Sequence, residues 1–395
     1  MGSVSARRLV AVLTAVVLLA GCERATSFDG PEPPLRPAWA SLSLPLPPGP
    51  PGRLLLRDAA TCGGRWYVTG GVADAAGGTR PAAWTSADGV TFTPLTLVPS
   101  SFSGEQHVLS AVACRGSRVA AVGSKGGGVH GNPRVGTWAQ GPDGALREVL
   151  APFEQFGGPR AVRVGRLVAG PRGWLVVGSR VAGAAVWISP DSSAFTLVEG
   201  APELAGDGRG RTAADDAVAV PSGWLVVGSL LAAAGPRPLA WTSADGRVWR
   251  RAELPGGPVG SGAAQRVVAS ARGPVAVGSA GAAGFGAWRL SGDGWRWVGT
   301  LGTAGTSAGG GVPSVAGLAA AGGDLVAVVR EAAGHALWTS SDAGDSWRPM
   351  ALPRAVPDTG DTAVAVATDG DRLLLVEDDG KGSRAWWGRV PAVDR

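Results

Sequence analysis

Two short phrases alternate along this chain, seven times each, and their spacing constrains its fold more than any other feature. The first is a glycine followed by an apolar run ending in Gly-Ser. Gly173-Trp174-Leu175-Val176-Val177-Gly178-Ser179 returns as Gly223-Trp224-Leu225-Val226-Val227-Gly228-Ser229. Looser copies begin at Gly64, Gly116, Gly273, Gly323 and Gly370, so successive copies stand 52, 57, 50, 50, 50 and 47 residues apart. The second phrase is a tryptophan closing an alternating apolar run, at Trp84, Trp138, Trp187, Trp241, Trp288, Trp338 and Trp387. A fixed period of about 50 residues indicates units that bury their hydrophobic faces only by packing against one another.

Each unit holds four strand-like runs. In the fourth these are residues 217–220, 224–230, 238–243 and 248–254, separated by turns such as Ala244-Asp245-Gly246. Glycine and aspartate suit such turns through positive φ and Asx geometry, and the 64 glycines of the 395 residues fall largely there. The expectation is an all-β, seven-bladed β-propeller of four-stranded antiparallel blades over residues 38–395. The last unit supplies only three runs, 362–368, 372–377 and 384–391. Trp39-x4-Leu44-Pro45 has the spacing of the fourth runs Trp249-x4-Leu254-Pro255 and Trp347-x4-Leu352-Pro353. Residues 38–45 are therefore expected to complete the last blade and latch the ring, since an open edge invites pairing with other chains. Fourteen of the 16 tryptophans occupy repeat positions, leaving only Trp295 and Trp386 outside the pattern. Their default role is core packing rather than ligand stacking.

At the N-terminus, Arg7 and Arg8 precede an apolar run over 9–20, too short to span a bilayer. A positive start, a short apolar stretch and small residues before a cut read as a secretory signal. Its ending, Leu19-Ala20-Gly21-Cys22, resembles the lipobox of bacterial lipoproteins. That resemblance implies removal of residues 1–21, lipidation at Cys22, a disordered tether over 22–37 and residence on the extracytoplasmic face of a cell membrane. An ordinary signal peptide with an incidental cysteine is the alternative. Cys62 and Cys114 occupy the same place in successive units, and an oxidising compartment makes them a disulfide candidate, with two free buried thiols as the other reading. The formal charge of +5 rests on arginine, lysine occurring only at Lys125 and Lys381, and no basic run suggests nucleic acid.

Ser340-Ser341-Asp342-Ala343-Gly344-Asp345-Ser346-Trp347 matches the pattern S-x-D-x-G-x-[ST]-W. Ser86-Ala87-Asp88-Gly89-Val90-Thr91-Phe92 and Ser243-Ala244-Asp245-Gly246-Arg247-Val248-Trp249 are versions one residue shorter. The chain thus resembles the Asp-box (BNR-repeat) propellers, whose best-known members are sialidases and which include non-catalytic binding proteins. The resemblance implies a structural role for Asp88, Asp245 and Asp342 in the hairpin between third and fourth strands.

A sialidase-like site would also need a tyrosine nucleophile with a glutamate, three arginines and an aspartate acid/base. The only tyrosine, Tyr67, aligns with Leu225 in a second strand, a structural slot. The histidines His107, His130 and His335 lack partners at ligand spacing. Glu377-Asp378-Asp379-Gly380 and the pair Asp369 and Asp371 lie at turns, where acidic residues are ordinary and calcium is the alternative. The chain is accordingly expected to act as a monomeric, non-catalytic binding or assembly scaffold without cofactor or metal, its partner an extracytoplasmic protein or a glycan. The alternative is a glycan-processing hydrolase with a sialidase-like fold and an atypical site. Long loops tend to carry function, and those over 100–107, 125–134, 152–163, 200–216, 255–266 and 354–361 share the face formed by loops from a fourth strand into the next unit and from second to third strands. His107, Asp215, Asp216, Gln265, Arg266 and Asp361 are the candidate binding residues.

Overall fold

The computed structural model describes residues 33–391, apart from 128–132, 258–259, 282–283, 304–312 and 359. The signal segment, Cys22, most of the expected tether and His130 lie outside the described residues. Seven antiparallel sheets follow one another around a ring. Their first strands are Arg53–Cys62, Val108–Arg115, Ala161–Gly170, Gly210–Val220, Ala263–Val268, Ser314–Ala321 and Ala363–Asp369, one for each of blades one to seven. Blade four shows the plan: Gly210–Val220, Gly223–Ala232, Gly235–Ser243 and Arg250–Glu253 pair in sequence order. Blade two gains a fifth strand, Leu97–Val98, lying parallel to Leu146–Val149.

The latch is present. Ala40, Ser41 and Leu42 pair antiparallel with Trp387, Trp386 and Ala385, giving blade seven its fourth strand. Pairing begins earlier than the sequence suggested. Leu35, expected in the tether, donates its N–H to the Pro349 carbonyl at 2.9 Å and accepts from the Ala351 N–H at 2.7 Å. The reason is hydrophobic: Leu35 and Trp39 pack onto the cluster shared by blades six and seven, and the Trp39 indole N–H donates to the Ala351 carbonyl.

The core is distributed. Seven apolar clusters each join two neighbouring blades, as Trp66, Trp84 and Leu56 of blade one do with Leu374 and Ala365 of blade seven. Third-strand tryptophans sit in these seams, and in blades one, three, four and five their indole N–H groups tie down the backbone of the loop that leads into the blade. Trp84 donates to the Pro45 carbonyl, Trp187 to Gln155, Trp241 to Glu203 and Trp288 to Pro255, at 2.6–2.9 Å. A disulfide joins Cys62 at the end of one first strand to Cys114 near the end of the next.

Opposite those loops lie the box turns. Asp88 Oδ1 accepts the N–H groups of Val90 and Thr91, and Asp245 Oδ1 those of Arg247 and Val248. Asp342 Oδ1 accepts the Ser346 N–H. These bonds hold the carboxyl pKa values of Asp88 and Asp245 below the ordinary range. Blade three contains a further turn of this kind, in which Asp191 accepts the Ser193 N–H at 2.9 Å. Sequence reading passed over it because Ser192, with φ of 69°, stands where Gly89 and Gly246 take 75° and 78°.

Candidate functional site

Antiparallel order puts the loops between blades and the loops from second to third strands on one face, called upper here. From that face the first strands descend around the axis. In blades one to six the pairing of the first strand with the second slips at an equivalent place, and in blade three it slips a second time at Val162. The residues left unpaired at the shared place are Arg57, Ser110, Gly165 with Arg166, Asp215, Gln265 and Ala316. A β-bulge bends the strand and re-aims a side chain. Repeated in six of the seven blades, it turns these residues toward the axis. The result is a channel with a volume of about 450 Å³, to which every blade contributes and whose charged walls include Arg57, Arg163, Arg166, Asp215 and Arg266.

Most of these charges are paired. Arg57 bridges Asp378 at 2.6 Å and Asp361 at 2.5 Å. Arg163 holds Asp215 at 2.5 Å and also donates to the Ala214 carbonyl. Arg166 reaches Asp58 at 3.0 Å and stands 3.9 Å from Asp216. Two of the carboxylates also clasp the next blade: Asp58 accepts the Val112 N–H at 2.9 Å, and Asp216 the Val267 N–H at 3.1 Å. Gln265 does the same through its side-chain oxygen, which accepts the Val315 N–H at 2.8 Å.

Arg266 differs. Its Nε and Nη2 donate to the Ala316 carbonyl and its Nη1 to the Gln265 carbonyl. Among the described residues no carboxylate lies within ion-pairing distance of it. Burial, and then the neighbouring Arg166, push its pKa down, and Asp216 and Asp215 offset this only in part. Burial likewise raises the pKa values of Asp215 and Asp216, against the pull of Arg163 and Arg166 respectively. At Arg166 burial works against the charge, but Asp58 and Asp216 outweigh it and the pKa rises.

Of the six candidate residues, Asp215, Gln265 and Arg266 line the channel. Asp216 is buried behind them, and Asp361 stands at the exposed rim through its bond to Arg57. His107 requires a correction, for it does not join the axial ring. It is 1% exposed and lies beneath a separate cavity beside blade two, where its Nδ1 accepts the Trp138 indole N–H at 3.1 Å. That bond fixes Nδ1 as the lone-pair nitrogen, and burial lowers the pKa. His107 precedes Val108 directly, so it enters the blade too early to reach the bulge.

Sequence reading missed Arg57, Ser110, Arg163 and Arg166. In blades one, four and five the signal was present as adjacent polar residues inside apolar strands, Arg57-Asp58, Asp215-Asp216 and Gln265-Arg266, and in blade three as the lone Arg166 after Gly165. Two polar neighbours break the period-2 alternation of a strand, and a bulge resolves the conflict.

The acidic run of blade seven is bound by arginines. Arg53 and Arg57 take Asp378, while Arg354 takes Glu377 at 3.3 Å and Asp379 at 2.9 Å. Asp379 also accepts the N–H groups of Lys381 and Gly382. Among the described residues no group of three or more acidic, histidine or cysteine ligands converges on a metal position. Tyr67 is 2% exposed within the apolar cluster between blades one and two, away from the residues lining the channel.

No protein-family model matches this chain, and no curated protein matches its sequence. Solved structures do resemble it. A puromycin-hydrolysing peptidase of Mycobacterium tuberculosis aligns with a TM-score of 0.51 at 13% identity, over 86% of this chain and 55% of that one. The sialidase of Trypanosoma rangeli aligns with a TM-score of 0.45 at 12% identity, over 86% and 55%. The β-propeller domain of the trilobed protease of Pyrococcus furiosus gives 0.47 at 10%, over 86% and 96%. The alignments span about half the length of the first two proteins. At such identities the likeness to the peptidase shows the propeller fold alone.

Proposed function

We propose that this chain is a non-catalytic binding ring, held by lipid at Cys22 on the extracytoplasmic face of a bacterial membrane, whose axial channel receives an anionic group. One observation carries the ligand class. Arg266 is a largely enclosed guanidinium satisfied only by backbone carbonyls, in a channel whose other arginines are matched by carboxylates. An enclosed charge without a counter-charge is costly, and its three bonds leave two of five N–H groups for a ligand. Planar guanidinium donors suit carboxylate, sulfate or phosphate oxygens. The non-catalytic reading draws support from Tyr67, which sits in the core.

The test uses the full chain carrying Cys22→Ala. Sulfate and a hexuronic acid should raise its melting temperature at constant ionic strength, and Arg266→Gln should abolish the shift. Equal shifts in both proteins would overturn the channel assignment. Turnover on a broad glycoside panel would overturn the non-catalytic reading, and wild-type chain that takes up no radiolabelled palmitate in a bacterial host would overturn the anchor.

A further inference from the structure

Among the described residues every phenylalanine, tyrosine and tryptophan is buried or half-buried except Phe102 and Phe153, which are 76% and 50% exposed. Chance does not scatter them. They lie on consecutive upper-face loops, one before blade two and one after it. Each carries a cation on its ring: Lys125 Nζ is 5.3 Å from the Phe102 centroid, and the Arg134 guanidinium carbon is 4.2 Å from that of Phe153. No carboxylate among the described residues pairs with either cation, and exposed Glu154, next to Phe153, pairs with neither.

Between these loops lies a cavity of about 260 Å³, walled by Leu150, Pro152, Phe153 and Phe156. Leu150 is itself 68% exposed. The polar floor is already satisfied. His107 accepts from Trp138, and the Glu148 carboxylate accepts the N–H groups of Ser100 and Ser101 and the Ser101 hydroxyl. What remains open is a socket with an apolar wall at Leu150, Pro152, Phe153 and Phe156 and with Arg134 on its lining, while the Phe102–Lys125 pair stands on the neighbouring loop.

We infer that this surface docks a protein segment presenting one large apolar side chain flanked by carboxylates. Exposed aromatics and arginine around a pocket are the make-up of binding hot spots. An arginine held over an aromatic face keeps N–H groups for carboxylate oxygens, and the Arg134 guanidinium, 4.2 Å from the Phe153 ring centre, is so placed. The socket argues for a peptide side chain rather than a bilayer, whose planar surface needs no cavity. The surface is distinct from the axial channel and does not depend on its ligand.

The experiment selects a displayed random-peptide library against the full chain carrying Cys22→Ala. Enriched peptides should share a Leu, Phe or Trp beside Asp or Glu. Phe153→Ala and Arg134→Gln should each weaken their binding at least tenfold and Phe102→Ala several-fold, whereas Arg266→Gln should leave it unchanged. Circular dichroism melts identify any variant that fails to fold, and for that position Phe153→Leu or Arg134→Lys gives the readout. Failure to enrich such peptides, or binding untouched by these substitutions, would overturn the inference. So would binding to anionic phosphatidylglycerol vesicles that depends on Phe102 and Phe153 in place of peptide binding.

Discussion

Arg166 of blade three pairs with Asp58 of blade one at 3.0 Å, passing over blade two. Asp58 also accepts the Val112 N–H of blade two, so one buried carboxylate joins three consecutive blades at the axis. Ring closure and the charge pattern of the channel therefore share residues.

Removing one partner should expose that dependence. Asp58→Asn leaves the Arg166 charge matched only by Asp216 at 3.9 Å and should cost about 2–3 kcal/mol, below the usual 3–5 for a fully buried pair because Arg166 keeps that second partner and is partly solvated. The double variant Asp58→Leu/Arg166→Met should recover part of the loss. Urea unfolding of Asp58→Leu, Arg166→Met and the double variant measures this, and a double variant as unstable as the sum of those two singles would contradict the pairing.

Channel charge should follow pH. Burial raises the pKa values of Asp215 and Asp216, so they take up protons above the ordinary aspartate value of about 3.9. Each proton removes a negative charge beside Arg163 or Arg166. Sulfate, which stays fully ionised, should thus bind more tightly at pH 5 than at pH 7. Calorimetry on the Asp215→Asn/Asp216→Asn variant should show that dependence flattened.

Folding stability near pH 4 contains opposed contributions. A raised carboxyl pKa favours the fold as pH falls from the folded value toward the unfolded one, which is the direction at Asp215 and Asp216. The lowered values at Asp245 and Asp342 act oppositely: their contribution is complete above the unfolded value and is lost as pH falls below it. Asp245→Asn should therefore reduce the acid sensitivity measured by melting between pH 5 and pH 2.5.

The inter-blade disulfide closes a separation of 52 residues. Cys62→Ser/Cys114→Ser should lower stability by about 4 kcal/mol on the loop-entropy model. A reducing agent should produce the same decrease in the wild-type chain and none in the variant.

Truncation separates tether from latch. A chain beginning at Pro34 should melt like the full protein. One beginning at Leu46 loses both the Ala40–Leu42 strand and the Leu35 contacts, exposing an unpaired edge at blade seven. It should melt at markedly lower temperature and associate, as light scattering would show.

Seven blades, the tryptophan seams and the latch were legible in the chain, because each repeats at a fixed spacing and rests on local strand and turn chemistry; the cysteine pair was legible as a candidate, and the structure shows the bridge. Trp39-x4-Leu44 was legible as a fourth strand although its partner, Trp387, lies at the other end of the chain. The channel, by contrast, exists only in the closed ring. Arg57, Arg166 and Gln265 are far apart in sequence, and they meet because bulges at equivalent positions turn them inward, with Arg266 beside Gln265 on the same wall. His107 fell outside that set because it precedes its strand, a difference of a few residues that decides which side of the blade a side chain meets. Spacing encodes pairing between neighbouring strands, whereas convergence on an axis depends on the geometry of all seven blades together.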